Sequence, residues 1–359
     1  MPGSRGPVNK AMWQVIGQSR AVELLRRSLN SERLSHAYLF VGQPHVGKMT
    51  LAVNLAQALN CEQAERPCGQ CRSCLHIAAG NHPDVQVIGR MANADSGEAS
   101  TRKEISIAQI KEIQRSAGLQ PYEGRHRVFI IDGAEYLNEE SANCLLKTLE
   151  EPPPNVLFVL LTVNDGRLLP TIVSRCQRVE LLPLPATVIE QALTEHWKVA
   201  SEKAGVLSRL SRGAMGWAVC AAEDENLVQD RSQKLDELVS LNDASLEQRF
   251  AFAGRLAAQF NKNRDSVEEM LELWLGWWRD VILTKEGCLQ FITNVDKENV
   301  LRNYAASYSV AAIRAFIEAI REARGQLEQN ANPRLVLEVL MLSIPGKGET
   351  KDKVSQRLT

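Results

Sequence analysis

The most constraining feature of this 359-residue sequence is a phosphate-binding loop, Gly42-Gln43-Pro44-His45-Val46-Gly47-Lys48-Met49, that departs from its pattern at the last position. In the pattern G-x-x-x-x-G-K-[ST], backbone N–H groups cradle phosphates, the lysine neutralises the β- and γ-phosphate oxygens, and the final hydroxyl binds Mg²⁺. Met49 offers only a thioether, which is too soft for a cation that prefers oxygen ligands. Thr50 is rotated by about 100° along a helix, so its hydroxyl is no substitute.

Short apolar segments alternate with helical patterns through the first half of the chain. Residues 37–41 form an apolar run that ends at the loop, and a helix is predicted over 49–59 behind it. Further strands are predicted over 85–88, 127–131 and 156–162, and further helices over 22–29, 107–117 and 139–149. The alternation predicts an α/β domain with a parallel sheet, right-handed crossovers and ligands at the carboxyl ends of the strands. Residues 91–103 are polar and predict an exposed loop.

The strand signal ends after the segment 181–185, and with a limit placed at 183 this divides the chain into predicted domains. Residues 1–183 form the α/β domain, 184–225 a small helical lid, and 226–345 an all-α domain. The polar tail, 346–359, is predicted to be flexible.

The all-α part shows two specific signals. Apolar residues recur at the spacing of a broad buried helix face, which is typical of a core or a subunit contact, and include Trp274, Trp277 and Trp278. Asn332 and Pro333 predict the N-cap and first residue of a last helix that ends near Ile344. In the lid, Gly213 and Gly216 predict a turn.

A second part of a nucleotide site follows the strand at 127–131. Asp132 lies 84 residues after Lys48, at the position of a carboxylate that holds Mg²⁺ in phosphate-loop ATPases. A Glu usually comes next and orients the attacking water, but here the residue is Gly133. Glu135 would lie on the opposite side if the strand continued. Because losing a general base costs on the order of 10²–10⁴ in rate, the site predicts absent or very weak hydrolysis.

The retained residues leave two interpretations of this site open. Gly42, Gly47 and Lys48 are the residues that would bind ATP or ADP without turnover. The alternative is a fold of this kind that binds no nucleotide.

Four cysteines, Cys61, Cys68, Cys71 and Cys74, have the spacing C-x6-C-x2-C-x2-C. Four thiolates are typical of a closed, structural Zn²⁺ site, so a four-cysteine zinc module is predicted near 61–74. Reduced or redox-active thiols are the alternative, and His76 could replace one ligand. The remaining cysteines have no metal-binding spacing and are predicted to be buried thiols: Cys144, Cys176, Cys220 and Cys288.

The charge balance limits the classes of partner. The sequence has 42 Lys and Arg against 43 Asp and Glu, a formal net charge of −1, so it has no global attraction to DNA or an anionic membrane. The first residues lack the apolar segment of a signal peptide, and no run of 18 apolar residues predicts a membrane span. We expect a cytoplasmic protein, in which eight cysteines favour thiols or metal over disulfides.

Arg175 follows the strand that ends at Thr162, on a segment that includes Ser174-Arg175-Cys176. A loop Arg is commonly a solvated side chain or a surface ion pair. In ring ATPases an Arg in this place reaches the neighbouring nucleotide site and stabilises charge on the γ-phosphate, an effect of about 10³–10⁵ in kcat.

These motifs together resemble the delta-prime subunits of the bacterial DNA polymerase III clamp loader, within the AAA+ superfamily. The resemblance is strong over 13–185 and looser to 345. Besides the loop and the cysteines, it depends on residues 15–18, 35–40, 82–84, 121–125, 143–153, 174–176 and 332–335.

The gamma and tau ATPase subunits share most of these segments, so three departures favour the delta-prime family. Gamma/tau-like chains have a Ser or Thr at the position of Met49, a Glu at that of Gly133, and a sensor Arg at that of Gly216. An active gamma/tau-type clamp-loader ATPase is the alternative interpretation.

The resemblance implies an AAA+ P-loop domain with a parallel sheet, a small helical lid and an all-α collar domain for oligomerisation. It implies an ATPase-deficient stator in a pentameric ring. The implied partners are gamma/tau ATPase subunits, the delta subunit, the sliding clamp and primer–template DNA reached through the complex. Arg175 would be an arginine finger for the adjacent ATP site, and Thr162 the sensor residue of the degenerate site. A pure DNA-binding or scaffold protein, in which the nucleotide fold is vestigial and Arg175 has no role, is a further alternative.

Overall fold

The structure, a computed structural model, describes residues 13–31, 33–89 and 104–346. The predicted loop 91–103 and the tail beyond 346 lie outside the described residues. The chain divides into two compact units, one of Met1–Ala204 with Arg212–Val219 and one of Gly205–Ser211 with Cys220–Thr359. The domain limits at 183, 225 and 345 stay predictions.

In the first unit, the described strands form one parallel five-stranded sheet in the order β2-β3-β4-β1-β5. The strands are β1 (Ala37–Val41), β2 (Val85–Ile88), β3 (Arg127–Asp132), β4 (Val156–Thr162) and β5 (Gln177–Glu180). β1 and β4 are buried along their whole length, as expected for central strands made of continuous apolar residues. The predicted parallel α/β fold is therefore confirmed.

Register brings the carboxyl ends of three strands together. Val41 pairs with Thr162, and Asp132 pairs with Leu161. The backbone N–H of Gly42 donates to the Thr162 carbonyl at 3.2 Å. The phosphate-binding loop, the end of β3 and the end of β4 thus lie at one edge of the sheet, where parallel α/β folds place their ligands.

Helices cover both faces of this sheet. They are α1 (Ser19–Asn30), α2 (Lys48–Asn60), α3 (Arg72–Ala79), α4 (Ile107–Ala117), α5 (Glu139–Glu150) and α6 (Pro170–Val173), and a further helix, α7 (Ala186–His196), follows β5 in the chain. α1 and α2 pack against one face of β1, which includes Tyr38 and Phe40. α4 and α5 pack against the other face, which includes Leu39. Each strand residue points to the face opposite that of its neighbour, so both apolar layers use the same strands.

Three expectations for this region are wrong or incomplete. The sequence pattern does not predict α3 or β5. The reason is that α3 begins at a cysteine cap and β5 is a short strand with one buried residue, Val179. Gly213 lies in the predicted turn, with φ of +86°. Gly216 does not, because it lies in the first turn of α9 (Met215–Glu223), which follows α8 (Ser201–Leu210).

The second unit is helical. It contains α10 (Glu225–Ser240), α11 (Leu246–Lys262), α12 (Arg264–Lys285), α13 (Glu298–Ser307), α14 (Val310–Glu328) and α15 (Pro333–Leu342). The three tryptophans of α12 are fully buried in its core, which confirms that they are packing residues. Asn332 caps α15 as predicted, and the helix ends at Leu342, before the predicted end. Among the described residues, no helix combines the length and apolarity needed to cross a bilayer.

A buried carboxylate organises the turn that leads into β3. Asp84 accepts hydrogen bonds from the backbone N–H groups of Tyr122, Glu123 and Gly124 at 2.7–2.8 Å. It also forms an ion pair with Arg127 at 3.2 Å. Burial alone would raise the pKa of Asp84, but these donors outweigh it and lower the pKa below its ordinary value.

We expect Asp84→Asn to lower the free energy of unfolding at pH 7 by about 3–5 kcal/mol, because it leaves Arg127 buried without its counter-charge. The contribution of a carboxylate with a lowered pKa is complete above its unfolded pKa, near 4, and is lost as pH falls through the folded pKa. Urea unfolding at pH 7 and through the acid range should therefore show a flatter acid limb for the variant. Equal stability of wild type and variant at pH 7 would contradict this, and Asp236→Asn, at an exposed ion pair, is the control.

Candidate functional site

Two glycines shape the phosphate-binding loop. Gly47 caps α2 in the left-handed conformation, with φ of +110°. A Cβ on Gly42 would lie 2.6 Å from the Leu181 carbonyl oxygen, so only glycine fits there. The loop therefore has the backbone geometry of a strand–turn–helix phosphate site.

Lys48 is turned back onto this loop. Its ammonium donates to the carbonyl oxygens of Gly42 at 2.5 Å and Gln43 at 2.9 Å. Burial lowers the pKa of Lys48, while the charges of Glu135 and Asp132 act in the opposite direction. The lysine thus lies between loop carbonyls and the acidic end of β3.

Met49 has a packing role at the position where the pattern has a hydroxyl. Its partly buried side chain contacts the apolar core that α1 and α2 share with the sheet, as do those of Val15 and Val53. A thioether side chain adapts well to such irregular apolar space.

The tip of the loop is bonded to the turn before α9. The side chain of Gln43 donates to the Arg212 carbonyl at 3.1 Å, and the Gly216 N–H donates to the His45 carbonyl at 2.8 Å. A Cβ on Gly216 would lie 2.9 Å from that oxygen. An Arg at position 216 therefore has no room in this arrangement.

The end of β3 excludes a glutamate next to Asp132. Gly133 has φ of +75°, a conformation that residues with side chains rarely adopt. A Cβ there would lie 2.8 Å from Cδ2 of Tyr136. The backbone conformation of this turn therefore accounts for a Gly, rather than a Glu, at position 133.

Glu135 lies just beyond the end of the strand. β3 ends at Asp132, and Glu135 belongs to the 3₁₀ turn Ala134–Tyr136. Its Oε1 accepts from the Val163 N–H at 3.3 Å, and its charge acts on Lys48. Its Oε2 is buried and has no hydrogen-bond partner among the described residues. The sequence placed Glu135 on the opposite side only if the strand continued, and that condition is not met because the chain turns at Gly133.

Thr162 is buried at the end of β4 and its hydroxyl is already used. Oγ1 donates to the Asn164 carbonyl at 3.1 Å and accepts from the Asn164 N–H at 3.2 Å. The predicted nucleotide residues are therefore brought together at one edge of the sheet, but two of their functional groups, those of Lys48 and Thr162, are bonded to the protein itself.

The four predicted cysteines form one cluster. Their sulfurs lie within 4.8 Å of one another, with Cys68 and Cys74 3.9 Å apart, an arrangement that could bind a metal ion. Cys61 follows α2, Cys71 caps α3, and Gly69 turns between them with φ of +69°.

Backbone N–H groups point at these sulfurs. The N–H groups of Gln70 and Cys71 donate to the Cys68 sulfur at 3.4 and 3.2 Å. Burial would raise the pKa of Cys68, but these donors lower it to about 7, whereas burial raises the pKa of Cys74. Such donors stabilise thiolates, the form that binds metal.

The other cysteines are less buried than predicted. Cys220 is exposed, and Cys144, Cys176 and Cys288 are partly exposed, so the prediction of four buried thiols is wrong.

Arg175 lies between α6 and β5, with about a third of its side chain exposed. Its Nη2 contacts Glu150 Oε1 at 2.6 Å, and its Nη1 donates to the Thr171 carbonyl at 3.0 Å. Nothing in the local sequence predicted Glu150 as its partner, because 25 residues separate the two.

We expect Gly133→Glu to destabilise the protein by about 2–4 kcal/mol without restoring hydrolysis, because the side chain meets both an unfavourable φ and Tyr136. Thermal unfolding of Gly133→Glu and of Gly133→Glu/Tyr136→Ala would measure the two contributions. Gly287→Glu is the matched control, since Gly287 has φ of +74° but open space around it. A Gly133→Glu protein as stable as wild type would refute the steric argument.

Comparisons with known proteins show which sequence family the chain is similar to. The sequence family described as DNA polymerase III, delta subunit, matches residues 17–185, and its C-terminal family matches 225–345. The chain is 30% identical to DNA polymerase III subunit delta' of Bacillus subtilis over 91% of this chain and 96% of that protein. It is 25% identical to subunit tau of the same organism, over 92% of this chain and 60% of that protein.

Among solved structures, a DNA polymerase III gamma subunit-related protein of Thermotoga maritima is similar, with a TM-score of 0.37 and 19% identity over 90% of this chain and 98% of that one. The RuvB Holliday junction branch migration motor of Thermotoga maritima has a TM-score of 0.39 and 19% identity over 60% and 63%. On the sequence matches, the chain belongs to the delta-prime family of DNA polymerase III clamp-loader subunits.

Proposed function

We propose that this clamp-loader subunit is an ATPase-deficient stator that supplies Arg175 to the nucleotide site of a neighbouring ATPase subunit. The observation that carries the proposed lack of ATPase activity is the turn at Gly133. This turn has no room for the glutamate that would orient an attacking water. A general base of that kind contributes about 10²–10⁴ in rate. We also propose that the protein is located in the cytoplasm, as predicted from its sequence.

The remaining residues of the pocket support weak nucleotide binding at most. Gly42 and Gly47 shape a loop for phosphates, but a phosphate must displace the two carbonyl contacts of Lys48. Met49 supplies no oxygen to a Mg²⁺ ion, and the hydroxyl of Thr162 is bonded within its own turn. Binding of ATP or ADP without turnover is the most that these groups support.

Arg175 is suited to act outside its own chain. Two of its five N–H groups are used by Glu150 and Thr171, which leaves three for a phosphate. The planar guanidinium matches phosphate geometry and can donate two parallel hydrogen bonds to it. The partners proposed are gamma/tau ATPase subunits and the delta subunit, with the sliding clamp and primer–template DNA reached through the complex.

Zn²⁺ is the metal that the cysteine cluster fits best. In a tetrahedron with Zn–S bonds of about 2.3 Å, the sulfurs lie about 3.8 Å apart. The 3.9 Å between Cys68 and Cys74 matches this edge. Four thiolates leave no open position, so the zinc would be structural and would join α2 to α3.

An active gamma/tau-type ATPase is the second candidate. Two observations favour it: the similarity to subunit tau, and the carboxylate of Glu135, which acts on Lys48 from the end of β3. It requires hydrolysis without a hydroxyl at position 49, so the turnover of the purified chain separates the two candidates.

We expect the purified chain to show no ATP turnover above background, with or without primed DNA. In a loader reconstituted with gamma/tau-type and delta subunits, Arg175→Ala should slow hydrolysis at the site that it completes by about 10³-fold and should reduce clamp loading. Steady-state ATPase and clamp-loading assays measure both effects.

Arg178→Ala is the matched control for this experiment. Arg178 lies three residues away, is also partly exposed and is paired with Asp165 and Glu180, so its removal should leave both rates unchanged. Turnover by the isolated chain at the rate of a loader ATPase, or unchanged rates with Arg175→Ala, would refute the proposed function.

We expect one Zn²⁺ per chain, measured by elemental analysis of protein purified without chelators. Cys71→Ser should lose the metal and lower the Tm, because apparent binding energies of structural zinc are on the order of 10–16 kcal/mol. Cys220→Ser, at an exposed cysteine outside the cluster, should keep the bound metal and the wild-type Tm. Metal-free wild-type protein with the same Tm would show that the site is a thiol cluster only.

A further inference from the structure

The guanidinium of Arg175 is fixed at two points rather than one. Nη2 contacts Glu150 Oε1 at 2.6 Å, and Nη1 donates to the Thr171 carbonyl at 3.0 Å. Exposed ion pairs usually leave a long side chain free to move. The second anchor, a backbone oxygen, restricts the rotation that a single contact would allow.

The backbone below Arg175 is also fixed. The N–H groups of Ser174 and Arg175 donate to the carbonyls of Pro170 and Ile172 at 3.0 and 3.1 Å. Ile172 is fully buried in the core between α5 and the sheet. With the backbone fixed, the conformation of the side chain depends on the contacts at its end.

Helix stability does not explain the position of Glu150. It is the last residue of α5, where the helix dipole carries partial negative charge and a carboxylate is unfavourable. Lys147, in the same turn, is the type of residue that suits this end. Among the described residues, the basic side chain that Glu150 contacts is that of Arg175.

We infer that Glu150 is a positioning residue that holds the guanidinium of Arg175 in the orientation offered to the neighbouring γ-phosphate; this inference rests on the proposed function of Arg175. Ordering a free Arg side chain costs much rotamer entropy. When Glu150 and Thr171 order it within this chain, that cost is met before the subunits meet, and three N–H groups of the partly exposed guanidinium remain to donate to a phosphate.

The test is a double-mutant cycle in the reconstituted loader with Glu150→Ala, Arg175→Ala and the double variant. We expect Glu150→Ala to lower the kcat of ATP hydrolysis by about 10- to 100-fold with little change in KM, because it disorders a group that acts on the transition state. In the Arg175→Ala background it should have no further effect. Glu150→Gln keeps the shape of the side chain and one acceptor oxygen, so its kcat should lie between those of wild type and Glu150→Ala.

Asp165→Ala is the matched control, because it removes a carboxylate from the neighbouring Arg178. Wild-type or faster rates with Glu150→Ala overturn the inference, as does an equal loss of rate in the Arg175→Ala background. Those outcomes leave the proposed function intact if Arg175→Ala alone is slow. Unchanged rates with Arg175→Ala overturn the proposed function and the inference together.

Discussion

Parallel pairing of β1 with β4 and β5 is the constraint on which the functional edge of the first unit depends. Because β1 is central and buried on both faces, its register with β4 leaves no freedom in where the phosphate-binding loop begins. The same register sets Thr162 beside Val41, and pairing of β3 with β4 sets Asp132 at the same edge. The apolar packing of α1, α2, α4 and α5 stabilises this arrangement from both sides.

At this edge three residues serve the fold in ways that support the proposed lack of hydrolysis. Gly133 makes a left-handed turn over Tyr136, Met49 fills apolar space, and the hydroxyl of Thr162 completes a turn. Met49 and Gly133 lack the side chain that an ATPase of this kind has at each position, whereas Thr162 keeps its hydroxyl but uses it within the chain. Arg175 shows the opposite design, because its contacts order a charged group that stays partly exposed. In the proposed stator, the groups of the pocket are bonded within the chain, and the ordered guanidinium of Arg175 is offered to the neighbouring subunit.

The prediction from sequence succeeded where local signals are strong. The bounds of β1 and β2 and of α4 agree with their apolar periodicity, and Asn332 caps α15 as its position before Pro333 predicts. It failed where the signal is weak or non-local. β5 has a single buried residue and is a strand only because β1 is beside it. The side of the sheet on which Glu135 lies depends on a turn at Gly133 that the pattern of an extended strand does not contain.

The sequence by itself determined the family, the α/β class, the four clustered thiols and the loss of a hydroxyl at position 49, because each depends on residue type and spacing along the chain. Only the tertiary structure decided that Gly133 has no space for a side chain, that Gly216 meets the loop at His45, and that Glu150 contacts Arg175. Those facts are distances between segments far apart in sequence. They follow from strand register and helix packing, which the order of residue types does not state.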